Sequence, residues 1–190
     1  MSVADPETGA TTAVEATPAP DMVPTLVRER EEIDRSCAIP CLAFFASSLF
    51  WLLAGTVLAL LASIKMHAPD FLADSAWLTF GRVRPAHLNT VAFGWGCPAA
   101  FGVLLWLMSR LSRVPLRWPG VLVVACAVWN IGMVVGTVAI LSGTTTSIEW
   151  LEFPTYAAFL LFVGFALVAL WAMMTFARRD QDHVYVSQWY

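Results

Sequence analysis

The chain has 190 residues, 58% of them hydrophobic and only 13% charged, with a mean hydropathy of +0.68. A charged share well below the roughly 25% of soluble domains leaves too little polar surface to cover a water-soluble fold, so composition points to a membrane protein. The formal net charge of −3, with no basic stripe interleaved with aromatics, excludes nucleic acid as a partner.

Residues 1 to about 27 are rich in Ala, Thr, Pro and Glu, carry four acidic residues and have no apolar periodicity. They lack the basic start and early apolar core of a signal peptide and read as a disordered tail. "REREEIDRS" (28–36) follows as a short charged helix or solvated collar. A boundary is thus expected between a cytoplasmic tail, 1–36, and a membrane domain, 37–190. Four apolar stretches come next, at about 41–64, 85–109, 118–142 and 153–177. Each reaches the roughly 20 residues that a bilayer-spanning helix needs. Lipid cannot satisfy free backbone groups, so the expected fold is all-α and integral to the membrane, with four transmembrane helices. Trp77, Trp118 and Trp150 stand at the span ends, where indole rings favour the interface.

The basic residues orient this bundle. With the N-terminus inside, the inner side holds Arg28, Arg30, Arg35, Arg110, Arg113, Arg117, Arg178 and Arg179, and the outer side only Lys65, Arg82 and Arg84. Both termini are therefore expected in the cytoplasm. Arg82 and Arg84 run against that rule and directly precede His87.

Pro85 suits the first turn of a helix, which places His87 in the first or second turn of the second span, just below the outer surface. An ionisable side chain there is a functional candidate by default, set against a plain hydrogen bond to a neighbouring helix. Thr90, Val91, Gly94 and Pro98 follow at helical spacing with Gly96 alongside, a small-residue face that another backbone or a flat macrocycle could approach. A heme held by His87 would lie along this face, with Arg84 above it toward water to pair with the propionates. Helix packing alone would account for Gly94 and Gly96 but not for Arg84.

The other candidates are weaker. Cys37 and Cys41, one turn apart, have no further metal ligand nearby, and Cys97 and Cys126 lie in apolar runs as small core residues. His67 reads as an interface histidine and His183 as structural. Trp95 and Trp129 read as packing residues that could also line a cofactor. Glu149 and Glu152, spaced i,i+3, would share one face of a helix, either as solvated carboxylates or as acidic groups that need a shared cation or a proton.

"WLTFGRVRPAHLNTVAFGWG" (77–96) resembles the second-helix motif of the catalytic subunit I of cbb3-type cytochrome c oxidases, the C family of heme-copper oxidases. "FFASSLFWLLAGTVLAL" (44–60), "EWLEFP" (149–154) and "HVYVSQWY" (183–190) are similar, in the same order, to the family's first helix, its third-to-fourth loop and the entry to its fifth helix. The resemblance covers about residues 40–190 and implies several things. His87, in R-P-x-H-x-N, would be one axial ligand of a low-spin heme b, with Arg84 beside the propionates. Glu149 or Glu152 would lie near those propionates and a calcium site. The reaction would pass electrons from cytochrome c to oxygen, coupled to proton translocation, in a bacterial inner membrane. Partners would be the remainder of subunit I and the c-type cytochrome subunits. A second heme and a copper would need histidines absent from these four spans, so the chain is expected to be the N-terminal third of such a subunit. A nitric oxide reductase-like heme b subunit is the first alternative. A non-enzymatic four-helix membrane heme protein is the second, and only His67 could supply its other axial ligand.

Overall fold

A computed structural model describes residues 22–146 and 148–188. Most of the tail reading, residues 1–21, lies outside them, as do Trp189 and Tyr190. Four long helices account for the bundle: α1 Val23–His67, α2 Phe80–Ser112, α3 Pro119–Ser142 and α4 Thr155–Ala177. All four are long and apolar enough to cross a membrane.

Helix α1 runs across the boundary expected at 36/37. It has 45 residues, about 67 Å of helix, and runs unbroken from Val23 through the charged segment and past Pro40. The reason is a buried stripe. Ile33, Cys37, Pro40, Phe44, Ser48, Trp51 and Gly55 recur every three or four residues on one face, and the stripe begins inside the segment read as a collar. Arg28, Glu31, Glu32 and Arg35 lie on the exposed side of the same helix.

Helix α2 begins at Phe80 rather than near residue 85 and is not uniform. Its α-helical turns Phe80–Asn89 and Cys97–Ser112 flank a π-helical segment, Thr90–Gly96. Pro98 explains the π turn. A proline inside an α-helix clashes with the carbonyl four residues back, and one extra residue in the turn relieves that clash. The Cys97 N–H accordingly reaches five residues back, to the Ala92 carbonyl. The next bond in that register would run from residue 98 to the Phe93 carbonyl, and Pro98 has no N–H to give. The Trp129 indole N–H on α3 donates to that carbonyl instead, at 2.9 Å, and Ser48 on α1 donates to the Trp95 carbonyl at 3.0 Å. Neighbouring side chains thus satisfy what the bulge exposes, as a membrane interior requires.

Helix α1 packs along α2, and α3 along α4. Between the pairs lies an aromatic core in which Phe101 meets Phe44 and Trp129 edge to face, at 5.7 and 5.0 Å. Asn130 on α3 ties α1 in: its Oδ1 accepts from Ser47 Oγ at 2.9 Å and from Trp51 Nε1 at 2.8 Å. At one end of the bundle Asp34 accepts from the Trp106 indole, Ser36 Oγ accepts the Leu116 N–H, and the Asp180 N–H donates to the Ser112 carbonyl. The eight arginines counted above gather at this end, and Lys65, Arg82 and Arg84 belong to the other.

Candidate functional site

The site lies toward the second end, where α2 starts. His87 is eight residues into α2, so Pro85 is an internal proline and not a first-turn one. The histidine is half-buried, and its Nδ1 lies 2.9 Å from the Gly55 carbonyl of α1. A carbonyl only accepts, so Nδ1 carries a hydrogen, and in the neutral ring Nε2 keeps the free lone pair. Metal-ligating histidines are commonly oriented in this way, by an N–H given to a backbone carbonyl. Arg84, three residues earlier and on the same face, is exposed.

Gly94 departs from the open face expected of it. A Cβ there would stand 2.7 Å from Trp51 Cβ and 3.0 Å from Met133 Cε. Gly94 is therefore a point of close packing against Trp51 and Met133. Gly55 has a similar task, because a Cβ would meet Val91 Cγ2 at 2.9 Å. The close approach it allows places its carbonyl under the His87 ring.

The two glutamates part company. No helix joins them, since α4 starts only at Thr155, and the shared helical face does not form. Glu149 is exposed on the loop. Glu152 is buried, and its Oε2 accepts from Asn89 Nδ2, which also donates to the Pro85 carbonyl at 2.9 Å. The histidine motif and the "EFP" segment are thus joined through the asparagine that ends R-P-x-H-x-N. Sequence reasoning did not pair them, because nothing in the spacing of Asn89 and Glu152 announces a contact. Phe153 completes the anchor by filling the notch at Gly136, and the Pro154 carbonyl accepts the Ala157 and Ala158 N–H groups to start α4. His87 and Asn89, two residues apart, project about 200° from one another, one toward α1 and one toward Glu152.

The two arginines against the charge rule also differ. Arg82 Nη1 donates to the Leu141 carbonyl at 3.1 Å, at the C-terminus of α3, where a cation meets unpaired carbonyls and the negative end of the helix dipole. That answers why Arg82 is there, and only Arg84 remains free for a ligand.

The remaining candidates lie elsewhere. His67 ends α1, twelve residues or about 18 Å along the helix from Gly55, too far to meet His87 across one iron. His183 is exposed with its ring against Tyr185. Cys41 Sγ donates to the Gly102 carbonyl, and Cys97 and Phe101 share with Trp129 an apolar 350 Å³ recess against α4. Among the described residues no group of three or more His, Cys, Asp or Glu comes together.

Residues 40–190 match the family described as Cytochrome C and Quinol oxidase polypeptide I. The chain belongs to that family. Relatives include the cytochrome c oxidase subunit 1 homolog of Azorhizobium caulinodans, 28% identical over 75% of this chain and 26% of the relative. The bacteroid homolog of Bradyrhizobium diazoefficiens is 27% identical over the same shares. The cbb3-type cytochrome c oxidase subunit CcoN1 of Stutzerimonas stutzeri is 25% identical over 77% of this chain and 31% of the relative. The chain therefore spans about a quarter to a third of the length of these oxidase subunits. Membership agrees with the resemblance read from the motifs and with a multi-pass membrane bundle.

Proposed function

We propose that this chain supplies one axial ligand, His87, of a low-spin heme b in a terminal respiratory oxidase. It would lie on the path of electrons from a c-type cytochrome toward oxygen, in a process coupled to proton translocation. The observation that carries the reading is the family match over residues 40–190 with His87 in R-P-x-H-x-N. The hydrogen bond from His87 Nδ1 to the Gly55 carbonyl fits a packing histidine and a ligand alike, and in the neutral ring it leaves Nε2 as a Lewis base. When bound, heme supplies a reversible one-electron Fe(III)/Fe(II) couple. The chain's own residues hold and tune it. His87 contributes an imidazole whose ring is oriented by its carbonyl partner. Arg84 contributes a permanent positive charge one turn nearer to water, suited to bidentate pairing with a propionate. Gly55 shapes the contact that orients the ring, and Gly94 lets α2 pack against Trp51 and Met133.

The calcium reading is narrower. Calcium takes six to eight oxygen ligands, and Glu152 already gives one oxygen to Asn89 while Glu149 is exposed away from any cluster. These two residues do not make a calcium site by themselves. The second heme, the copper and the partner subunits belong to the larger assembly suggested by the relatives. A bacterial cell membrane with both termini in the cytoplasm completes the proposal.

In the oxidase assembled with this chain, His87→Ala is expected to abolish the low-spin heme b absorbance, and an unchanged spectrum would refute the assignment. Arg84→Leu should keep the heme but lower its potential, because a nearby cation favours the reduced iron. A potential unaltered by that change would remove Arg84 from the site.

A further inference from the structure

At the arginine-rich end, a cavity of about 420 Å³ opens between the start of α3 and the end of α4, lined by Val114, Pro115, Arg117, Trp118, Thr175 and Arg178. We propose that it binds the phosphate headgroup of an anionic phospholipid.

Three observations carry this. The first is charge. Arg117 and Arg178 are both exposed, and among the described residues no carboxylate lines the cavity. Among the described residues the one ion pair is Arg110 with Asp34, and none of them pairs with either guanidinium of the cavity. The second is shape. The Arg178 guanidinium lies 4.5 Å from the centroid of the Trp118 ring. A cation–π contact of this kind restrains the exposed guanidinium, a group suited to meet a phosphate in the bidentate geometry that arginine favours. The Arg117 backbone is pinned as well, because its carbonyl accepts the indole N–H of fully buried Trp171 at 3.0 Å. The third is level. Trp118 is 42% exposed at the very start of a membrane span, and Val121 and Val124 in the next turns are exposed apolar residues. An interfacial tryptophan beside free arginines, above apolar helix surface, suits a headgroup with acyl chains below it.

A neighbouring basic cavity of about 390 Å³ carries Arg30, Arg110 and Arg113. It also carries Glu29, and its Arg110 is engaged by Asp34. It is the poorer anion site and so an internal control.

The test is native mass spectrometry of the purified full chain in neutral detergent. Phosphatidylglycerol and phosphatidylcholine of the same acyl chains are titrated, with and without millimolar inorganic phosphate. One phosphatidylglycerol should be retained in preference to phosphatidylcholine, and phosphate should displace little of it. An exposed ion pair is worth up to about fivefold in binding, so Arg117→Gln with Arg178→Gln should weaken retention by up to about thirtyfold. Arg117→Lys with Arg178→Lys should fall between, keeping charge but losing the planar fork. Arg30→Gln with Arg113→Gln should change nothing. Equal retention of phosphatidylcholine would overturn the proposal. So would complete displacement by phosphate, the mark of a free-anion site, or an equal loss in the Arg30/Arg113 pair. The lipid and phosphate competition on the unaltered chain decides the matter even if a double variant folds poorly.

Discussion

Replacing Trp129 by Phe tests the account of the bulge in α2. The indole N–H is the donor that Pro98 cannot offer to the Phe93 carbonyl. Its loss leaves a half-buried carbonyl without a partner in a medium that supplies none. Interhelical hydrogen bonds of this kind average about 0.6 kcal/mol in membranes and reach about 1.7, and a buried unpaired acceptor costs about 1–3. About 1 kcal/mol is therefore expected from the bond, besides the packing lost against Phe101 and Gly164 when the ring shrinks. The two contributions separate in a double-mutant cycle. Pro98→Ala restores an N–H five residues beyond Phe93, so in that background Trp129→Phe should cost only the packing. The coupling energy should be about 1 kcal/mol, near a fivefold change in the unfolding constant, read by reversible detergent-induced unfolding of the purified chain. Effects that add within about 0.3–0.5 kcal/mol would refute the claim that Trp129 stands in for the missing donor.

Other substitutions have equally definite outcomes. Gly136→Ala would drive a Cβ into the Phe153 ring, and a loss of about 1–3 kcal/mol is expected in the same unfolding assay, with partial rescue by Phe153→Leu. Glu152→Gln should be nearly neutral because its amide oxygen can still accept from Asn89, whereas Glu152→Leu should cost about 1–3 kcal/mol; equal losses would argue against that contact. Arg82→Leu should cost about 1 kcal/mol by uncapping α3, while Arg84→Leu should stay within about 0.5 in the heme-free chain. Reporter fusions after residues 36 and 180 should both give cytoplasmic signals, and a periplasmic one from either would overturn the orientation.

The number and order of spans were legible because each carries a continuous apolar run, a signal that needs no neighbour to read it. The ends were less legible. The sequence assigned 28–36 by its charge, but Ile33 and Cys37 already belong to a buried stripe, and burial against α2 outweighs the solvated face. His87 and Arg84 stood out because an imidazole and a guanidinium are rare in such runs. Gly94 is ambiguous in the sequence, since a small residue admits a macrocycle and an indole alike, and its contact with Trp51 has no local signal. Arg82 with Leu141, and Asn89 with Glu152, are long-range contacts with no local periodicity to betray them. The π turn did have a signal in Pro98, a proline within an unbroken apolar run after two glycines, but a wheel drawn with 3.6 residues per turn passes over it.

Ser47 and Trp51 stand one helical turn apart on α1, and both end on a single oxygen of Asn130. Two donors separated along an axis and converging on one point define an azimuth as well as a height. Neither a roll nor a one-residue slide of α1 against α3 can preserve both bonds. Leu49, Leu53 and Leu60, all exposed, therefore point outward in a fixed direction. Whatever packs on that side, lipid or protein, meets a ridge already cut and has no helix to turn.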